Sequence, residues 1–91
     1  MAVSEFELTR MAEDEMDLAR RLSWKELIRV TPWSDTYMAI SGAGLEVEVQ
    51  RAYLWVDDAK TAIRVEIMAR SVHPPHAKVL EVATVTPKGF E

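Results

Sequence analysis

The sequence predicts a single α+β domain spanning 1–91, with one long N-terminal helix over about 5–22 packed on an antiparallel sheet of about four strands. Two observations carry this. The apolar-alternating stretches 45–56 and 62–72 flank the polar break Asp57-Asp58-Ala59-Lys60-Thr61. Alternation with a period of two, ended by such a break, marks a half-buried β-hairpin. Upstream, Leu8, Met11, Ala12, Leu18, Ala19 and Leu22 recur at helical spacing and form one apolar stripe.

The helix start is specified locally. Ser4 and Glu7 have the spacing of a capping box, and Val3 and Leu8 occupy the two positions of a hydrophobic staple. Glu5, Glu7, Glu13 and Asp14 crowd the first half while Arg20 and Arg21 fall in the last turn, which matches the helix dipole. Ser23 and Glu26 repeat the capping-box spacing, so 24–30 is open between a short second helix and a strand. Pro32 ends it either way, because the residue before a proline is pushed out of the α region. The first strand is then expected over 35–41, with Gly42-Ala43-Gly44 as the turn that follows.

The hairpin can be registered by counting. With Val56 opposite Ala62, Glu48 falls opposite Arg70. Leu45, Val47, Val49, Tyr53 and Trp55 then share a face with Ile63, Val65, Ile67 and Ala69. His73-Pro74-Pro75-His76 is expected as a four-residue loop into a last strand over 77–86. Pairing Val72 with Ala77 puts Leu80, Val82 and Thr84 on the same face, beneath the helix. The opposite face receives Leu54, Val56, Met68, Val79 and Val85 among its charges, more apolar than a solvated face should be. This predicts a self-association surface, most simply a homodimer with sheets face to face.

The order of elements resembles cystatin-like α+β folds, and it is compatible with small barrels that begin with a helix, such as Sm-like proteins. The likeness is one of topology over the whole chain, with no specific residue motif behind it. Fold analogy does not carry function.

Composition excludes several classes. There is no cysteine, hence no disulfide framework, thiolate metal site or cysteine nucleophile. A formal net charge of −4 argues against duplex nucleic acid as a partner, since that affinity comes largely from neutralising phosphates. Met1-Ala2-Val3 lacks a basic leader, and the longest apolar run falls far short of the roughly 20 residues of a membrane span. A soluble, cytoplasmic protein with no membrane partner is the expectation.

Motifs for chemistry are scarce. His73 and His76 are separated by two prolines that exclude a helix and would hold them roughly 9 Å apart in extended geometry. No third strong ligand accompanies them, so no metal is expected. Asp57 and Asp58 read as turn residues, and Gly42-Ala43-Gly44 lacks the lysine of a phosphate loop. No cofactor is implied.

Glu15 interrupts the helix stripe, and Arg51 interrupts the inner face of the sheet. In one reading they meet under the helix, near Tyr37 and Tyr53. In the other, Glu15 reaches solvent along its stem and a β-bulge near Gln50-Arg51 turns Arg51 outward. The rarity of buried charge favours the second. Trp24, Trp33, Tyr37, Tyr53 and Trp55 all fall between the helix end and the first hairpin, where they could line a helix–sheet cleft. Ordinary core packing is the commoner use of such residues.

The leading functional expectation is a non-enzymatic interaction module, homo-oligomeric and acting on a protein partner. The alternative is a small-molecule binding protein, with Glu15, Arg51, Tyr37, Tyr53 and Trp55 as ligand contacts. An acid–base enzyme with Glu15 as base and Arg51 stabilising negative charge ranks below it.

Overall fold

Ser4 caps the first helix, although of the expected capping box only the bond to its own hydroxyl forms. In the computed structural model, which describes residues 3–91, the Ser4 hydroxyl accepts from the Glu7 amide at 3.2 Å. Val3 and Leu8, the two staple residues, are both buried. The helix, α1, runs Glu5–Arg20. A second helix, α2, spans Trp24–Val30, which settles the segment left open between helix and strand. Its capping box is complete, with Ser23 and Glu26 each bonding the other's backbone amide. Thr31 leaves α2 in extended geometry ahead of Pro32, as a pre-proline residue must.

Five antiparallel strands follow: β1 (Trp33–Ile40), β2 (Glu46–Trp55), β3 (Ile63–Ser71), β4 (Lys78–Thr86) and the short β5 (Gly89–Phe90). They lie side by side in chain order. β1 begins earlier than expected, and β5 adds a fifth strand to the expected four; two residues are too few to leave a periodic signal. The architecture is α+β, one long helix and one short helix on an antiparallel sheet.

The central hairpin has the register obtained by counting. Val56 donates to the Ala62 carbonyl at 3.0 Å, and Glu48 stands opposite Arg70, forming an ion pair at 3.2 Å. Asp57 closes the turn by accepting from both the amide and the hydroxyl of Thr61. Val47, Val49, Tyr53, Ile63, Val65, Ile67 and Ala69 are buried on the face beneath the helix. Trp55 and Leu45 pack against that core from its margin.

β4 differs from expectation by one residue. Ser71, not Val72, pairs with Ala77, its amide donating to that carbonyl at 2.8 Å. The connection is therefore one residue longer than a His73–His76 loop, and His76 takes a positive φ of 61° to close it. A one-residue slip sends every side chain to the other face. Val79 and Val85, expected outside, lie inside, and Val85 is fully buried. Leu80 and Val82, expected inside, lie outside at 61% and 49% exposure.

α1 is rolled slightly from its expected stripe. Leu8, Ala12, Met16 and Ala19 are buried, one residue per turn, while Leu18 faces solvent and Leu22 is only partly covered. Met16 takes the inward position expected of Leu18. The helix lies chiefly over β3 and β4, leaving the inner face of β1 and the neighbouring half of β2 to be covered in another way.

Candidate functional site

That remaining part of the inner face holds the charged and aromatic residues singled out from the sequence. β2 runs without a bulge opposite both neighbours, so Arg51 stays on the inner face, opposite Asp35 on β1 and Ile67 on β3. This overturns the expected outward turn of Arg51. Glu15 does not escape to solvent either, its side chain keeping only 16% exposure. A bulge would have avoided burying charge. The structure instead leaves the charges inside and gives each a partner.

Arg51 is the hub. Its Nε donates to Asp35 Oδ1 at 2.8 Å, and its second terminal nitrogen donates to Asp35 Oδ2, a two-point contact suited to the planar guanidinium. The other terminal nitrogen donates to Glu15 Oε2 at 3.3 Å. Tyr37 donates its hydroxyl to the other oxygen of Glu15. The guanidinium carbon lies 5.2 Å from the ring centre of Trp33 and 4.9 Å from that of Tyr37, residues that flank Asp35 on the same strand face.

The electrostatics follow from this geometry. Hydrogen bonding from Arg51 holds the Asp35 carboxyl below its ordinary range. Desolvation, then hydrogen bonding to Glu15 and the nearby negative charge, push the Tyr37 hydroxyl up to about 12. Desolvation also raises Tyr53. Arg51 is held still more firmly protonated by its bonds to Asp35.

The aromatics divide into two contacts. Trp33 packs on Tyr53 with ring centres 5.0 Å apart, and Trp24 of α2 meets Trp55 edge to face at 6.0 Å. Of the expected ligand contacts, Glu15, Arg51 and Tyr37 converge. Tyr53 lies beside them through Trp33, whereas Trp55 sits at the far end of β2 against Trp24 and, at 5.8 Å, Lys60. Trp33, expected among the cleft-lining aromatics but not as a ligand contact, and Asp35, which the sequence reading does not single out, complete the cluster. Asp35 is legible in the sequence once Ser41 is paired with Leu45 across the Gly42-Ala43-Gly44 turn, which places it opposite Arg51.

Chemically this is a closed clasp. Each guanidinium nitrogen of Arg51 donates to a carboxylate, so three of its five N–H groups are already bonded to acids within the protein. Two depressions lie elsewhere on the surface. One, of about 160 Å³ on the outer sheet face, is bordered by Gln50, Arg51, Ala52, Glu66, Met68 and Leu80, so Arg51 is the one expected ligand contact that reaches it. The other, of about 470 Å³, lies beside the start of α1 between Phe6, Arg10, Asp14 and Gly42. Neither is lined by Glu15, Tyr37, Tyr53 or Trp55.

Among the described residues no group of three or more His, Cys, Asp or Glu side chains could hold a metal ion. His73 instead approaches Glu46 at 3.9 Å, and a His76 ring nitrogen lies 3.4 Å from the Ser71 carbonyl. No helix among these residues is long and apolar enough to cross a membrane. No family model, curated protein or solved structure matches the chain.

Proposed function

We propose that this protein is a non-enzymatic interaction module that works as a homo-oligomer, its outer sheet face stacked on the same face of a second copy. One observation carries the reading. α1 packs on one side of the sheet, and on the other Leu80, Val82 and Val56 keep 61%, 49% and 51% of their surface exposed. Leu54 and Met68, partly buried, extend the patch across β2 and β3. The β4 register moves Val79 and Val85 out of this surface and brings Leu80 and Val82 into it.

Charge supports the pairing. Glu46, Glu48 and Glu66 on this face are balanced by Arg64, Arg70 and Lys78. Glu48 pairs with Arg70 and Glu66 with Arg64 within the face itself. Two copies therefore meet without net repulsion, although each chain carries −4 overall.

Size supports it too. Four strands of eight to ten residues present roughly 570 Å² in projection, which side-chain relief raises toward the ~800 Å² per partner of a stable interface. The protein is a slab of 45 × 20 × 17 Å, and stacking two would give a helix–sheet–sheet–helix sandwich.

Native mass spectrometry at micromolar concentration tests the reading. An even-numbered assembly is expected, and Leu80→Lys should halve its mass while circular dichroism stays unchanged. A wild-type chain found only at its 10.3 kDa monomer mass overturns it.

A further inference from the structure

The free edge of β1 has the form of a second, independent interface. β1 ends the sheet, with β2 as its one neighbour. The bond from the Ser41 amide to the Leu45 carbonyl, 2.8 Å, sets the phase of the ladder. In an antiparallel pair, hydrogen-bonded positions recur every second residue. Ala39, Tyr37, Asp35 and Trp33 therefore direct their backbone groups to β2. Those of Ser34, Thr36, Met38 and Ile40 point to the free edge, and all four residues are exposed.

We propose that this edge pairs with the same edge of a second copy, antiparallel, about a two-fold axis that passes perpendicular to the sheet between the two Tyr37 residues. Only that register sets Ser34 opposite Ile40 of the second copy and Thr36 opposite Met38, so that every outward N–H and C=O on both edges finds a partner. Shifting it by two residues either way leaves groups unpaired.

The contrast with the opposite edge supports this assignment. Sheets blunt an exposed edge with lysine, proline, bulges, inward charges or a covering segment. β4 has several of these: Lys78, the inner-face Glu81, and β5 laid along Val85 and Thr86. β1 has no lysine, no proline and an unbroken register. Its one charge, Asp35, is on the inner face and neutralised by Arg51.

An identical strand fits best because the register is self-complementary and the edge brings no like charge to itself. Met38 and Ile40, 51% and 64% exposed, would be covered by Thr36 and Ser34 of the second copy. This axis is perpendicular to the sheet, while the outer-face axis lies in its plane. Set to run across the strands at the level of Tyr37, the outer-face axis meets the edge axis, and the two then close a tetramer of dihedral symmetry.

Thr36→Pro tests the edge alone, because it deletes an N–H that faces away from β2. With both interfaces present, wild type is a tetramer by native mass spectrometry, Thr36→Pro and Leu80→Lys are each dimers, and the double variant is a monomer. Met38→Lys, which sets like charges near the axis and also places a charge on the outer sheet face, should lower the mass at least as far as Thr36→Pro does and guards against misfolding of the proline variant. If Leu80→Lys changes nothing while Thr36→Pro halves the mass, the outer-face reading falls and the edge stands. Unchanged mass in both Thr36→Pro and Met38→Lys overturns the edge, even if an unrelated extended peptide binds there. Amide exchange reads it directly: protection at Thr36 and Met38 is expected, and rapid exchange in the assembled protein overturns the proposal.

Discussion

Asp35 and Arg51 stand directly opposite each other on β1 and β2 and close a two-point ion pair on the inner face of the sheet. Glu15 joins from α1, so one guanidinium ties two strands and a helix together. The pair is partly solvated, at 33% exposure for Asp35 and 27% for Arg51. Its value therefore lies between that of a surface bridge and that of a buried one.

Removing the hub should cost more than removing either spoke. Arg51→Met leaves Glu15 and Asp35 as neighbouring acids without their cation, and should destabilise by about 1–3 kcal/mol in urea unfolding. Asp35→Asn, which keeps a hydrogen-bond acceptor, should cost less. Equal stability of wild type and Arg51→Met would show that the clasp contributes nothing.

Acid should loosen the fold partly through Asp35. Its carboxyl is lowered in the folded state by the bond from Arg51. The stability it contributes is complete above the ordinary carboxylate value of about 4 and is lost as pH falls through the lowered one. Asp35→Asn should flatten the stability profile in that window. A profile with the wild-type slope would assign the acid limb to other carboxylates.

Alkali acts through the tyrosines. Tyr37 is raised to about 12, and Tyr53 is raised as well. Their contribution is full below the ordinary tyrosine value of about 10 and is lost as pH rises through the folded values. Tyrosinate absorbance should therefore appear later than in the unfolded chain, and Glu15→Gln should advance it by removing the charge that faces the Tyr37 hydroxyl. Titration of both rings near pH 10 would contradict the placement of Tyr37.

The β4 register separates neighbouring valines. Val85 is fully buried and Val82 is half-exposed. Val85→Lys should abolish cooperative folding, because an unpaired charge would enter the core. Val82→Lys should fold and disturb only assembly. Reversed outcomes would restore the register with Val72 opposite Ala77.

The roll of α1 makes a similar distinction. Leu8→Ala should cost about 2–5 kcal/mol as a core truncation, whereas Leu18→Ala, at a half-exposed site, should stay within about 0.5 kcal/mol. Comparable losses at both sites in thermal unfolding would place the helix on its expected stripe.

Features written in local chemistry were legible in the chain itself. The Ser4 cap, the Val3–Leu8 staple, the Asp57 turn and the central hairpin each depend on residues a few positions apart, and the structure has all of them. The meeting of Glu15 and Arg51 was legible too, as one of two readings: each breaks an apolar pattern on elements that must pack together. Sequence reasoning favoured the wrong one because burial of charge is judged residue by residue, whereas its cost falls once Asp35, Glu15, Tyr37 and Trp33 surround the same guanidinium.

Tertiary structure alone decided the face of β4. Both parities of that strand are apolar, Leu80 and Val82 on one side and Val79, Ala83 and Val85 on the other. A period-two pattern therefore has no preferred phase. The choice rests on the connection after Ser71, where one additional residue and the left-handed turn at His76 put Val79 and Val85 beneath α1. The same decision exposes Leu80 and Val82, and with them the surface on which the proposed assembly depends.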